Sequence, residues 1–191
     1  NRHCPQCQGH KKEEWIQKRE QELLPCSYYH VVFTLPAELN GLAISQPVLL
    51  YKTLFEAAWA TLNQFGKNKG IQLGMIAILH TWGQNLSLHP HLHCIVPGGG
   101  INKQGKWRAK IKSDKYLFCV KAMSKVFRAK FVASLRASGI KDQDLIDQLF
   151  TKNWVVYAKR PFGGPKQVIE YLGRYTHKVA ISNHRIKEVT D

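Results

Sequence analysis

The chain has 191 residues, of which 44% are hydrophobic, and this composition suits a globular protein with a sizeable core. Its 28 lysines and arginines against 13 acidic residues give a formal net charge of +15, which favours a polyanionic partner, most commonly nucleic acid and less readily an acidic membrane surface. No apolar run is long enough to cross a bilayer and no secretory signal is visible, so an integral membrane protein is not expected.

The N-terminal segment contains the turn Cys4-Pro5-Gln6-Cys7, whose two thiolates can bind one Zn²⁺. A structural zinc site takes four ligands, so His3, His10 or further cysteines upstream of Asn1 are needed. The competing interpretation is a redox pair or unliganded cysteines. The chain has five cysteines, an odd and scattered set, which predicts a reducing cytosol and no disulfide framework.

In the first half of the chain, a strand is predicted over residues 28–35, which are rich in aromatic and β-branched types and end before Pro36. Residues 45–65 form an amphipathic helical pattern. Residues 71–82 are apolar on both faces, which predicts a central strand. Residues 88–97 follow closely enough to pair with it as an antiparallel neighbour.

In the second half, a short strand is predicted around Trp107, followed by helices over 118–135 and 142–150. A strand over 154–158 and a last helix over 168–181 complete the chain. Strands interleaved with long helices, together with short strand-to-strand connections, predict an α+β fold with one largely antiparallel sheet backed by helices.

The strand 88–97 carries the run His91-Leu92-His93. Alternate side chains on a strand point to the same face, so His91 and His93 lie side by side. Two such imidazoles are a good start on a metal site. The competing interpretation is a pair of histidines that are merely hydrogen-bonded.

A catalytic ion at these histidines needs at least one more protein ligand. Gln84, in the loop that enters the strand, ranks first because its carbonyl oxygen suits Mg²⁺ or Mn²⁺. His89 ranks second, although Pro90 argues for a bend there. His80, on the neighbouring strand, is the third option.

Tyr171 and Tyr175 lie one helical turn apart and therefore share a face of the last helix. A tyrosine hydroxyl, with a pKa near ~10, is a weak nucleophile that a nearby cation can activate. Arg174, His177 and Lys178 supply such charges or transfer protons. The pair predicts phosphoryl transfer with tyrosine as the nucleophile; the competing interpretation places the two rings in the core and at an interface.

Residues 102–136 form a basic cluster with one acid, Asp114. We expect this cluster to contact phosphates, because its positively charged side chains repel one another unless a counter-charge is bound. Its eleven basic residues are Lys103, Lys106, Arg108, Lys110, Lys112, Lys115, Lys121, Lys125, Arg128, Lys130 and Arg136.

Four motifs, over residues 1–8, 29–36, 89–100 and 171–185, together resemble a known family. The His-hydrophobe-His strand followed by a Tyr-x₃-Tyr helix resembles the HUH endonuclease superfamily. The closest resemblance is to the two-tyrosine rolling-circle transposases of the insertion sequence 91 family.

The resemblance implies a ferredoxin- or RRM-like sheet with the histidine pair on a central strand. It implies Mg²⁺ or Mn²⁺ at His91 and His93. Tyr171 and Tyr175 are the implied nucleophiles, which attack single-stranded DNA at the ends of the mobile element and leave a 5′-phosphotyrosine and a free 3′-hydroxyl. The second tyrosine allows a second transfer, and no ATP is needed.

The resemblance also implies a division of the chain. Residues 1–24 correspond to the end of an N-terminal zinc-binding domain, with Cys4 and Cys7 as ligands of a structural Zn²⁺. Residues 25–191 correspond to the HUH nuclease domain. We expect a fragment of a longer bacterial protein that acts in the cytoplasm, associated with the nucleoid.

Two other interpretations use the same residues. A related replication initiator or relaxase has the same chemistry, and the cysteine-rich N-terminus favours the transposase. A non-catalytic DNA-binding remnant of a decayed element would keep the basic charge and the aromatic residues.

Overall fold

The structure is a computed structural model that describes residues 5–83, 85, 87–109, 117–159 and 167–170, with side chains from residue 13 onward. Its strands and helices follow in chain order: α1 (Pro5–Glu20), β1 (Tyr28–Thr34), a 3₁₀ helix (Ala37–Leu39), α2 (Asn40–Ser45), α3 (Pro47–Asn68), β2 (Ile76–Trp82), β3 (Leu88–Pro97), β4 (Gly100–Ile101), β5 (Trp107–Arg108), α4 (Val120–Ala137), α5 (Gln143–Thr151) and β6 (Val156–Ala158).

Within the described ranges, four strands form the main sheet in the order β2-β3-β1-β6, and every neighbouring pair is antiparallel. The connection β1-α3-β2-β3-α4-β6 is the split βαβ arrangement of ferredoxin-like folds. The expected antiparallel sheet backed by helices is therefore confirmed. The histidine-bearing strand β3 lies in the interior of this sheet, as expected.

The prediction for β2 is wrong in two respects. The strand begins at Ile76, because the preceding segment is held elsewhere: Gln72 and Ile101 exchange both backbone hydrogen bonds, which ties residues 71–75 to the small β4–β5 hairpin. Among the described residues, the strand also lies at the edge of the sheet. It is apolar on both sides because both faces of this edge are covered: Leu79 packs on the helix side and Ile78 on the opposite side.

Helices α3 and α4 cover one face of the sheet, which we name the helix face. Pro47 suits the first turn of α3, since its missing N–H is not needed there. The pattern of apolar residues at helical spacing places one side of each helix in the core. The buried residues include Leu50, Leu54, Ala58 and Leu62 of α3 and Met123, Phe127, Phe131 and Leu135 of α4.

The opposite face of the sheet is covered at one end. Ile16 of α1 packs there in a buried cluster with Tyr28 of β1 and Ile95 of β3. Val168 and Ile169, from the described helical residues 167–170, complete this cluster. The predicted helix over 168–181 is observed as far as residue 170, and its remainder lies outside the described residues.

Candidate metal centre

Antiparallel pairing aligns side chains of one sheet face in rows that run across the strands. His91 of β3 lies opposite Thr34 of β1 on one side and His80 of β2 on the other. His93, two residues further, points to the same face and lies opposite Val32 of β1. The register thus brings three histidines from two strands onto the face opposite the helix face, which we name the metal face.

The imidazoles of His80, His91 and His93 form a compact triad. One ring nitrogen of each lies within 4.8 Å of the others, a separation that allows all three to bind a single ion. Ring centroids are 5.3 Å apart for His80 and His91 and 4.9 Å apart for each other pair. His80 and His93 are buried and His91 is half-buried, so the triad lies at the edge of the covered region.

A hydrogen bond selects the tautomer of His91. Its Nδ1 lies 2.6 Å from the backbone carbonyl oxygen of His89. Because a carbonyl can only accept, the proton of neutral His91 is on Nδ1, and Nε2 keeps its lone pair for a metal. The same backbone bond fixes the orientation of the ring.

His93 is oriented by another histidine. Its Nδ1 lies 2.9 Å from Nε2 of His30 on β1, and the two rings stack with an interplanar angle of 7°. When His93 Nδ1 donates to His30, Nε2 of His93 is left as the metal-binding atom. This is the arrangement in which an outer hydrogen bond orients a ligand and raises its basicity.

Burial favours the neutral form of two of these imidazoles, His30 and His91. Burial, followed by the nearby charge of Lys159, lowers the pKa of His30 to about 4. Burial also lowers the pKa of His91, against the opposing effect of its bond to the His89 carbonyl. Neutral rings are the form that binds metal ions, so the electrostatics of the face fit a metal centre.

The structure brings together some predicted site residues and not others. His91 and His93 lie side by side as expected. Among the described residues, the group that could hold an ion adds His80, the third-ranked candidate, and not His89, which is exposed. Gln84, the first-ranked candidate, lies outside the described residues.

The predicted nucleophiles and zinc ligands are not described at the level of side chains. Tyr171, Tyr175 and Cys4 lie outside the described residues, and Cys7 is placed only as part of α1. His30 was missed by the sequence analysis. The only signal for it was a polar ring in an otherwise apolar strand, and the strand register was needed to give that ring a role.

The described residues of the basic cluster lie in two parts of the structure, and Lys110, Lys112 and Lys115 lie outside the described residues. Lys103 and Lys106 lie at the turn of the β4–β5 hairpin, and Lys121 and Lys125 are exposed on α4, away from the metal face. Arg128 has a structural task, since its guanidinium donates to two backbone carbonyl oxygens at the C-terminal end of α5. The expectation that the cluster contacts phosphates stays a prediction.

Sequence comparisons identify the family. A family described as "Putative transposase" matches residues 74–191, and one described as "Transposase zinc-binding domain", of the insertion sequence 91 type, matches residues 1–35. "Putative transposase y4qJ" of Sinorhizobium fredii (strain NBRC 101917 / NGR234) is 41% identical over 211 residues, which cover 100% of this chain and 53% of that protein. The "Transposase for insertion sequence element IS801" of Pseudomonas savastanoi pv. phaseolicola is 28% identical over 200 residues, with 100% and 48% covered.

The chain belongs to the insertion sequence 91 family of transposases. It spans about half the length of the curated relatives that it matches.

Two solved structures of the conjugative relaxase TrwC are similar at a low level. The metal-free complex with OriT DNA is 18% identical with a TM-score of 0.44, over 58% of this chain and 44% of that one. The complex with a 27-mer DNA comprising the recognition hairpin and the cleavage site is 16% identical with a TM-score of 0.44, over 81% and 68%. None of the helices in the described parts of our chain is long and apolar enough to span a membrane.

Proposed function

We propose that this chain carries the metal-dependent centre of its transposase, which nicks and rejoins single-stranded DNA through a 5′-phosphotyrosine. The convergence of three imidazoles on one sheet face is the observation that supports this function best. The enzyme acts on the ends of its mobile element, in the bacterial cytoplasm and in association with the nucleoid.

We propose His80 as the third ligand, in place of Gln84 or His89. Three imidazoles form a nitrogen donor set, and Mg²⁺ prefers oxygen. Of the two ions expected from the sequence, Mn²⁺ therefore fits this centre better than Mg²⁺. The bound ion supplies Lewis-acid polarisation of a phosphoryl oxygen and orients the scissile phosphate.

The protein residues prepare this centre in advance. The His89 carbonyl and the ring of His30 hold His91 and His93 in the tautomers that leave Nε2 available. Because both orienting groups belong to strands of the sheet, the ligands need little rearrangement on binding. Such preorganisation is the main contribution that a protein makes to electrostatic catalysis.

Chain continuity supports Tyr171 as a nucleophile. Ile169 is fully buried in the cluster with Ile95, and Ile95 is the next residue after His93 on the metal face. Tyr171 follows Ile169 by two residues, a chain length of at most ~7 Å. Tyr175 is proposed as the second nucleophile.

The proposed reaction conserves phosphodiester bonds. The tyrosine oxygen loses its proton and forms a bond to phosphorus, the bond from phosphorus to the 3′ oxygen breaks, and the leaving 3′ oxygen takes up a proton to become the free 3′-hydroxyl. A 3′-hydroxyl of a second strand then attacks the phosphotyrosine and releases the tyrosine. No ATP is needed, because the energy of the first bond is kept in the covalent link.

The N-terminal part is proposed to serve a different metal. Residues 1–24 form the end of the zinc-binding domain, in which Cys4 and Cys7 supply two of the four ligands of a structural Zn²⁺. Residues 25–191 form the nuclease domain. The match of residues 1–35 to a transposase zinc-binding domain supports the zinc assignment.

A covalent-adduct assay tests the proposal. The protein is incubated with Mn²⁺ and a labelled hairpin-end oligonucleotide, and the mass of a tyrosine peptide linked to DNA is measured. We expect the adduct on Tyr171 or Tyr175, and its loss in the variant Tyr171→Phe with Tyr175→Phe. An adduct on Tyr157 or Tyr116 would contradict the assignment of the nucleophiles.

A matched pair of histidine variants tests the third ligand. His80→Ala should remove Mn²⁺ binding and adduct formation, whereas His89→Ala should keep both, because the exposed His89 side chain is not part of the triad and the variant retains the backbone carbonyl that orients His91. The reverse result would make His89 the ligand.

A mobility shift of DNA with no adduct under any condition would instead indicate the DNA-binding remnant, and adduct formation confined to replication or transfer origins would indicate an initiator or relaxase.

A further inference from the structure

In the part of the chain that the structure describes, the metal face is open on the side of the edge strand β6. Val156 and Ala158 point to the helix face and are buried, so Tyr157 between them points to the metal face. Tyr157 is 50% exposed, and Val155, which lies two residues earlier on the same side, is 59% exposed. An aromatic ring and an aliphatic side chain thus form an exposed apolar shelf next to a polar centre.

The register places this shelf beside the triad. Tyr157 lies opposite Val32 of β1, and Val32 lies opposite His93 of β3. Two strand spacings, or ~10 Å, therefore separate the backbones of Tyr157 and His93. Thr34, which lies next to His91, donates its backbone N–H to the carbonyl of Val155 at 3.0 Å, so the shelf is tied to the row that contains the triad.

One end of the metal face is covered by a buried apolar cluster, and the shelf is not. There, the buried cluster of α1 and residues 167–170 covers Tyr28 and Ile95. Beside the shelf, Val32 and Thr34 of β1 are half-buried, and the side chains of Tyr157 and Val155 on the edge strand side are exposed. Among the described residues, the open half of the face therefore leads from the triad to Tyr157 without an intervening buried cluster.

We propose that Tyr157 and Val155 form a nucleobase-binding site, on which one base of single-stranded DNA stacks while a neighbouring phosphate reaches the histidine triad. The occupant follows from three features: an aromatic face, a distance of about one nucleotide from the triad, and a net charge of +15 that favours nucleic acid. Lys159, two residues after Tyr157, places a positive charge close enough to His30 of the metal face to act on it. The inference rests on the proposed function for the position of the phosphate.

Binding and cleavage can be measured separately. A fluorescein-labelled oligothymidylate is titrated in EDTA and followed by anisotropy, so that no cleavage contributes. Tyr157→Ala should raise Kd at least about fivefold, whereas Tyr157→Phe should stay within about twofold, because the ring and not the hydroxyl stacks. Tyr157→Leu, which keeps apolar bulk on the edge strand, should bind like the Ala variant. Phe150→Ala, at a similarly exposed ring on α5, is the matched control and should bind like wild type.

An abasic scan locates the stacked base. A single abasic site is moved along the oligonucleotide, and one position should weaken binding by wild type but not by Tyr157→Ala, since the base and the ring form one interaction. Equal binding by the Tyr157 variants and wild type, with no position that depends on Tyr157, would overturn the site. If one abasic position depends on Tyr157 but no covalent adduct forms, the stacking site is kept and the nuclease function is rejected. If the adduct forms normally but no abasic position depends on Tyr157, the stacking site alone is rejected.

Discussion

The helix face and the metal face are formed by the same strands, and they differ in which interactions hold their side chains. On the helix face, Val31 and Phe33 of β1 and Leu92 of β3 are fully buried against α3 and α4. On the metal face, alternate residues of these strands include His30 and His93, which are joined by a hydrogen bond. Alternation along a strand therefore separates the apolar core from the candidate chemistry by the thickness of one sheet.

The difference predicts that substitutions on the two faces affect different properties. Apolar side chains on the helix face contribute mainly to the free energy of folding. We propose that the triad binds a metal ion, and its removal should leave the core intact. Each prediction that follows either tests this separation or measures how far it holds.

Removal of two triad members should have the largest effect. His91→Ala with His93→Ala should lower the rate of adduct formation by about a thousandfold or more, because the ion supplies several kcal/mol of transition-state stabilisation. DNA binding in EDTA should persist, since the basic surface is unchanged. Single-turnover cleavage and anisotropy measure the two properties, and undiminished Mn²⁺-dependent cleavage would contradict the metal centre.

A truncation on the helix face should affect folding instead. Phe127 is fully buried and packs against Phe33 and Trp154 with ring centroids 4.9 Å and 5.3 Å away. Phe127→Ala should reduce the free energy of unfolding by about 3–5 kcal/mol, as expected for removal of a buried phenyl ring. Urea denaturation measures this change. A variant that keeps full stability would show that the helix face is not the main source of folding energy.

The hydrogen bond between His30 and His93 links the two properties. His30→Leu removes the acceptor and should weaken Mn²⁺ binding by about 10- to 100-fold, whereas His30→Gln, which keeps an acceptor, should recover part of the affinity. Calorimetric titration measures the affinity, and thermal unfolding controls for the fold. Equal affinities for the Leu and Gln variants would limit His30 to a packing role.

The smallest expected effect concerns the basic cluster. Lys121→Ala with Lys125→Ala on α4, and Lys103→Ala with Lys106→Ala at the hairpin, should each reduce the salt dependence of DNA binding. The slope of log K against log salt should fall by about 0.7 for each phosphate that the variant no longer neutralises. The hairpin pair and the α4 pair lie on different parts of the molecule, so their difference shows which side the DNA follows. Unchanged slopes in both variants would remove the cluster from the interface.

Much of the fold was predictable because its signals are local. The helical pattern over residues 45–65 corresponds to α3 (Pro47–Asn68), and the aromatic and β-branched run over 28–35 corresponds to β1 (Tyr28–Thr34). The start of β2 at Ile76 depends on tertiary structure, because the backbone of Gln72 is hydrogen-bonded to the β4–β5 hairpin and not to the main sheet. Periodicity cannot distinguish a central strand from an edge strand whose two faces are both covered.

The candidate site was predictable only in part. The spacing of His91 and His93 within one strand was sufficient to pair them. His80 and His30 enter through the pairing of β3 with two other strands, and sequence spacing does not encode that register. The exposed position of Tyr157 next to the triad has the same origin, because it depends on the order of strands in the sheet.

The origin of the triad in a single hairpin has a consequence for folding. His80, His91 and His93 all come from β2 and β3, whereas His30 joins from β1, 63 positions before His93. Hairpins close within microseconds, while distant strands pair later because long loops must close first. A shift of one residue in the pairing register between β2 and β3 would move both β3 histidines to the opposite face. An ion that binds the β2–β3 hairpin would therefore favour the native register. It should accelerate refolding at the stage when β2 and β3 have paired and β1 has not yet joined the sheet.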